Sequence, residues 1–201
     1  MRETLIDLLR HGEPEGGTKF RGWVDDPLSS TGWEQMRASA GEACHWDTVV
    51  TSPLLRCAEF AAELADRHRL TLEVDARFKE MGFGDWEGKT PADVARQDAA
   101  RLEKFWRDPV AFPPPGGESL AAVQARVTEG WRDLLVRHAG RRVLLVCHGG
   151  VIRLVLAQAL GIPLANLFRL HVPFAALSRL RVDGEGENAL PQLLFLGGRA
   201  G

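Results

Sequence analysis

A chain of 201 residues with 45% hydrophobic and 26% charged residues can bury a sizeable core and is too apolar to stay disordered. Its 25 Lys and Arg stand against 27 Asp and Glu, so no net field draws in nucleic acid or an anionic membrane, and any positive site must be local. The three cysteines, Cys44, Cys57 and Cys147, are odd in number and far apart, which argues against a disulfide framework or a zinc ribbon and suits a reducing cytoplasm. The opening residues lack a leader-like apolar segment, and no stretch approaches the length of a membrane span. One domain over residues 1–201 is expected.

Residues 4–9 (TLIDLL) are short, largely apolar and stop at Arg10-His11-Gly12, as a buried strand would. After a polar, glycine-rich segment, Thr31 and Glu34 have the spacing of a capping box for a helix reaching about Ala43, and residues 46–50 form a second strand. Ser52-Pro53 offers an N-cap and a proline at the first helical position, and Leu54, Ala58, Ala61 and Ala65 follow at helical spacing. Arg56 then falls in a first helical turn. Residues 70–74 read as a third strand, and residues 79–89 (KEMGFGDWEGK) as a glycine-punctuated loop before a helix starting near Pro91.

Residues 112–117 (FPPPGG) cannot be regular structure and either close over something or link two halves. Ser119 opens an amphipathic helix to about His138, and residues 142–147 (RVLLVC) are the clearest buried strand. Gly149-Gly150 turns the chain into a helix over residues 151–160. The last third holds a short helix near residues 164–168 and strands over 177–182 and 192–196. Strands alternating with helices predict a three-layer α/β/α sandwich with a largely parallel central sheet, whose ligands collect at the carboxyl ends of the strands.

That rule selects residues. Arg10-His11-Gly12 leaves the first strand, Arg56 opens the helix after the second, Glu80 follows the third, and His148-Gly149-Gly150 leaves the central one. Guanidiniums keep their charge and offer forked donors to a phosphate dianion, and a helix N-terminus after His148 adds backbone donors. No Asp, His and Cys cluster has metal-ligand spacing, so no metal or cofactor is expected and positive charge comes from side chains. A neutral imidazole, kept so by nearby cations, can attack phosphorus; His11 is the candidate nucleophile. Glu80 suits a general acid that later activates water.

Blander readings exist for each residue. Arg56 could form surface ion pairs with Glu59 or Glu63, each worth about 0.3–0.5 kcal/mol, and Glu80 could be an ordinary exposed loop acid. Cys147 beside His148 invites a cysteine nucleophile, but strand neighbours point to opposite faces, so Cys147 reads as core. Leu64, Leu134, Leu135 and Leu154 read as core by their helical period. His45, His68, His138 and His171 need only solvation or local hydrogen bonds. Phe83 and Trp86 are balanced between packing and ligand contact. Trp86, Trp23 and residues 112–115 together could form a flat aromatic wall beside the phosphate pocket.

Arg10-His11-Gly12-Glu13, Ser52-Pro53-Leu54-x-Arg56-x-Ala58-Glu59, Glu80-x-x-x-Gly84-x-Trp86-Glu87-Gly88 and Val146-x-His148-Gly149-Gly150 together resemble, in order, the blocks of the histidine phosphatase superfamily, the phosphoglycerate mutase-like family. The resemblance implies that His11 is phosphorylated, that Arg10, Arg56 and His148 hold the phosphoryl group, and that Glu80 donates the proton. The sequence departs from the commonest family pattern between His11 and Gly22, where Glu15-Gly16-Gly17-Thr18 replaces a Trp-Asn pair. Gly17 and Thr18 are then left as backbone donors in place of the asparagine.

The glycolytic mutases carry a longer insertion after the acid, so a metal-independent phosphatase is the preferred reading. Arg21-Gly22 with Asp25-Asp26-Pro27-Leu28, Phe83-Gly84-Asp85-Trp86-Glu87-Gly88, and residues 112–117 with Glu118 are similar to the bacterial α-ribazole-5'-phosphate phosphatases of cobalamin synthesis. Arg21 joins Arg10, Arg56 and His148 as an expected substrate-binding residue. The expected partner is a small-molecule phosphate ester, with a homodimer left open. A broad-specificity or sugar-phosphate phosphatase, a mutase, and a catalytically silent phospho-ligand-binding relative are the alternatives.

Overall fold

The computed structural model describes residues 3–184 and 189–198; Met1 and Arg2, at the head of the opening segment, lie outside them. In chain order the elements are β1 (Glu3–Arg10), α1 (Ser30–Ala40), β2 (Thr48–Thr51), α2 (Leu55–His68), β3 (Thr71–Val74), α3 (Pro91–Arg107), α4 (Leu120–Arg137), β4 (Arg142–Cys147), α5 (Gly149–Leu160), β5 (Leu177–Asp183) and β6 (Leu190–Gly198). Single 3-10 turns occupy Ala76–Phe78 and Gly84–Trp86, and a longer one Leu164–Arg169.

The strands make a six-stranded sheet in the order β3-β2-β4-β1-β5-β6. The first four are mutually parallel, and β5 and β6 add antiparallel at one side. β1 and β4 are nearly continuous apolar runs because both of their faces are covered, as an interior parallel strand requires. Alternate residues feed two cores. Leu144 and Val146 meet Met36 and Ala40 of α1 and Cys57, Phe60 and Leu64 of α2 on one face. Val143, Leu145 and Cys147 meet Val123, Val127 and Leu134 of α4 and Ile152 and Val155 of α5 on the other. The result is the three-layer sandwich the alternating elements predicted, and Cys147 is core. Leu64, Leu134 and Leu154 are core too, with Leu135 partly buried against it. Leu145 is fully buried, and truncating such a residue to Ala costs about 2–5 kcal/mol.

Two helix starts differ from the sequence reading. The cap of α1 is Ser29, whose Oγ accepts from Gly32 N–H at 3.0 Å while donating to Glu13 O, so the Thr31/Glu34 box is not used. α2 begins at Leu55 after Leu54, with no side-chain cap of its own. Asp25 Oδ1 accepts the Leu55 N–H at 2.7 Å, and Ser52 instead bonds His148. Thr90 and Asp93 form a reciprocal capping box at α3 behind Pro91. Among the described residues no helix is long and apolar enough to cross a membrane.

Candidate active site

The carboxyl ends of the parallel strands open on one side of the sheet, and there the structure brings together Arg10, His11, Arg56, Glu80 and His148. Arg10 ends β1 opposite Cys147, the last residue of β4, so His11 and His148 leave adjacent strands. Their ring centroids lie 5.2 Å apart. Gly12 is required by close packing: a Cβ there would sit 2.2 Å from the Gly32 carbonyl oxygen at the start of α1.

His11 is buried, with its N–H donating to Cys147 O at 3.0 Å. Its Nδ1 lies 2.8 Å from Gly12 O. A carbonyl only accepts, so Nδ1 carries the proton and Nε2 holds the free lone pair. Burial holds the imidazole well below its ordinary pKa, with Arg10 and Arg56 adding to the effect. His148 is lowered in the same way by burial and then by Arg56. Both rings are neutral near pH 7.

Arg10 donates through Nη1 to Val172 O at 2.6 Å and lies over the Phe174 ring at 4.3 Å. Burial brings it down to about 10. Arg56, in the first turn of α2, is fully buried and makes no pair with Glu59 or Glu63. Its Nη1 donates to Val24 O and its Nη2 to Gly22 O and Arg21 O. The Nε groups of Arg10 and Arg56 are buried without a hydrogen-bond partner among the described residues. No carboxylate lies within 4.0 Å of either guanidinium among the described residues.

Glu80 is also buried, not an ordinary exposed loop acid. Its Oε1 accepts from Met81 N–H at 3.0 Å and its Oε2 from Gly150 N–H at 3.1 Å. Arg126 of α4 ties down the backbone beneath it, donating to the carbonyls of Arg77, Lys79 and Glu80 while pairing with Glu118. Arg21 also reaches the site, but it is held by Asp26 at 2.7 Å and by the carbonyls of Gly17 and Glu15. The Gly17 N–H is taken by Pro14 O at 3.3 Å.

Arg10, His11, Glu80, Gly149 and Gly150 face a cavity of roughly 240 Å³. Its walls are aromatic, but they are not the wall read from the sequence. Trp86 is buried in the core against Phe20 and Phe105, Trp23 is 53% exposed under Lys79, and residues 112–115 do not line the cavity. Phe20, Phe83, Phe105, Trp106, Phe168 and Phe174 form the walls instead. Residues 115–117 pack against Gly84, where a Cβ would lie 2.3 Å from Pro115 O, so this segment buttresses the acid loop. His138 is buried, not solvated.

Several residues at the site carry no assignment from the sequence. Arg153, one turn into α5, lines the cavity and donates through Nε to Leu170 O at 2.9 Å. Its place four residues after Gly149, on the same helix face, was a usable signal. Lys19 also lines the cavity. Glu87 accepts the backbone N–H groups of Gly22, Trp23, Val24 and Phe83, a role that motif spacing does not announce. Among the described residues no group of three or more His, Cys, Asp or Glu could hold a metal ion.

The model of the histidine phosphatase superfamily (branch 1) matches residues 6–191, and the chain belongs to that family. A glucosyl-3-phosphoglycerate phosphatase of Mycolicibacterium vanbaalenii is 37% identical over 131 residues, 63% of this chain and 57% of that one. The matched stretches span 40% to 65% of the length of the curated relatives compared. A mycobacterial glucosyl-3-phosphoglycerate phosphatase superposes with a TM-score of 0.87 at 29% identity, covering 98% of this chain and 100% of that one. The α-ribazole phosphatase of Shigella flexneri superposes with a TM-score of 0.82 at 26% identity, over 98% and 97% of the two chains.

Proposed function

We propose that the protein is a metal-independent phosphomonoesterase that passes the phosphoryl group through Nε2 of His11. The observation that carries this reading is the pair of buried, unpartnered arginine Nε donors, on Arg10 and Arg56, beside a neutral histidine whose Nε2 is free. Unpaired charged donors in a closed site ask for an anion, and a phosphoryl group satisfies both. His11 Nε2 attacks phosphorus as the ester P–O bond breaks, and protonated Glu80 gives its proton to the departing oxygen. Glu80, now a carboxylate, takes a proton from water, which attacks phosphorus and breaks the N–P bond. Arg10, Arg56, Arg21 and His148 serve as the binding groups.

The test is to quench the protein after brief mixing with a phosphate ester and map the modified residue. Acid-labile, base-stable phosphate on His11, lost in H11A together with turnover, is expected. Phosphate trapped elsewhere, native turnover in H11A, or loss of activity on chelation restored by Mg or Zn would overturn the reading.

For the substrate, the aromatic walls support an ester with a flat apolar leaving group, and we favour α-ribazole-5'-phosphate of cobalamin synthesis. Aromatic stacking contributes about 0.5–1.5 kcal/mol beyond buried area, enough for several-fold discrimination. A second reading, glucosyl-3-phosphoglycerate, draws on Arg153 and Lys19, cavity cations without a carboxylate partner among the described residues, and on the 37% identity to the mycobacterial relative. Comparing kcat/KM on the two esters decides between them. The three free cysteines fit the cytoplasm as the working compartment.

A further inference from the structure

Ser52 and His148 are both fully buried, and Ser52 Oγ lies 2.7 Å from His148 Nε2. Each residue follows the end of a strand, β2 and β4, and these strands are parallel neighbours. Ser52 Oγ also receives the Leu54 N–H at 3.4 Å. A hydroxyl has one proton to give, and His148 Nε2 is the acceptor that proton reaches among the described residues. A neutral imidazole that accepts at Nε2 carries its own proton on Nδ1.

That Nδ1–H finds no oxygen among the described residues. Its polar neighbour is Cys57 Sγ at 3.8 Å, which lies 3.7 Å from Nε2 as well and therefore in line with neither nitrogen. The thiol is no anion: burial pushes its pKa up, out of reach of neutral pH. A buried donor left without a good acceptor is costly in the empty site and is satisfied when the ligand brings an oxygen.

We propose that Ser52 is a positioning residue that holds His148 as the Nδ1–H tautomer, so that a neutral imidazole donates a hydrogen bond to the phosphoryl group beside His11. The inference rests on the phosphohistidine reading. It explains how a ring that burial and Arg56 keep uncharged still serves as a donor: the tautomer, not the charge, makes it one.

Long-range ¹H–¹⁵N spectra of the native protein with ¹⁵N-labelled histidine test this directly. The expected pattern for His148 is a protonated Nδ1 and an unprotonated Nε2. In S52A the two tautomers mix, kcat/KM falls about tenfold, and orthovanadate binds more weakly by a similar factor. The loss is equal for p-nitrophenyl and alkyl phosphates, which separates it from damage to Glu80. A proton found on Nε2 of His148 in the native protein, or S52A with native spectra and turnover, overturns the inference. Trapped phosphate on His11 measured in parallel keeps the two ideas apart: with phosphohistidine present and Nε2 protonated, the Ser52 assignment alone falls.

Discussion

Gly150 donates its backbone N–H to Glu80 Oε2 at 3.1 Å, joining the acid loop after β3 to the helix that follows His148. The contact leaves no room for a side chain, since a Cβ on Gly150 would lie 2.3 Å from Glu80 Oε1. Gly150 sits in the first turn of α5, where Ala is the better helix former by about 1 kcal/mol. G150A is therefore expected to fold while pushing the Glu80 carboxylate out of place. Turnover of alkyl phosphates should fall about 10- to 100-fold, and that of p-nitrophenyl phosphate far less, because only poor leaving groups need the proton. Equal losses on both esters would show that the displaced carboxylate is not the acid.

Glu87 and Arg56 grip one loop from two sides. Glu87 accepts the N–H groups of Gly22, Trp23 and Val24, and Arg56 donates to the carbonyls of Arg21, Gly22 and Val24. In E87Q the amide nitrogen would face backbone donors, with roughly 2–4 kcal/mol lost. Urea unfolding should report that loss, and orthovanadate affinity should fall with it, because the loop that fixes Arg56 is loosened. Stability lost with vanadate affinity intact would mean that Arg56 holds its place without Glu87.

The parallel core was legible because β1 and β4 are apolar on both faces, a pattern few other elements share. The strand-exit rule then gathered Arg10, His11, Arg56, Glu80 and His148 with no knowledge of their distances. Side-chain commitments across the chain were not legible. Ser52 reads as a helix cap by its neighbours, yet its hydroxyl is spent on His148, 96 residues away. The cavity wall failed for the same reason. Trp86 lies in the acid loop but turns into the core, whereas Trp106 reaches the cavity from the end of α3. Only the packing of α3 against the site decides which tryptophan meets a ligand.

Stability should fall with pH below the ordinary imidazole value of 6.5, because burial and Arg10 hold His11, and burial and Arg56 hold His148, well below it. Between the folded and unfolded values the unfolded chain binds protons that the native protein refuses, so stability rises with pH. It is fully present above about pH 6.5 and is lost progressively below. Urea midpoints at pH 7.5 and 5.5 measure the slope, and H11Q should lose part of it. An unchanged slope in H11Q would mean that His11 protonates freely in the native state.

Trp106 offers the sharpest probe of the leaving-group chamber. It is 44% exposed, lines the cavity, and its ring lies 5.9 Å from Phe20 with an interplanar angle of 26° and 4.8 Å from Phe168 edge-on. Partial exposure means that W106A removes one wall without emptying the core, so the fold should persist. Losing one stacking partner should lower kcat/KM for α-ribazole-5'-phosphate about three- to tenfold. Small alkyl phosphates, which do not reach the wall, should be hydrolysed as before. Arg153 supplies the opposing control. R153M should spare α-ribazole-5'-phosphate and weaken glucosyl-3-phosphoglycerate, whose carboxylate would need that guanidinium. The two variants thus pull the two substrates apart in opposite directions. If W106A leaves the ribazole ester untouched while R153M sharply lowers turnover of the glycerate ester, the aromatic walls are packing and the anionic substrate is the one the chamber serves.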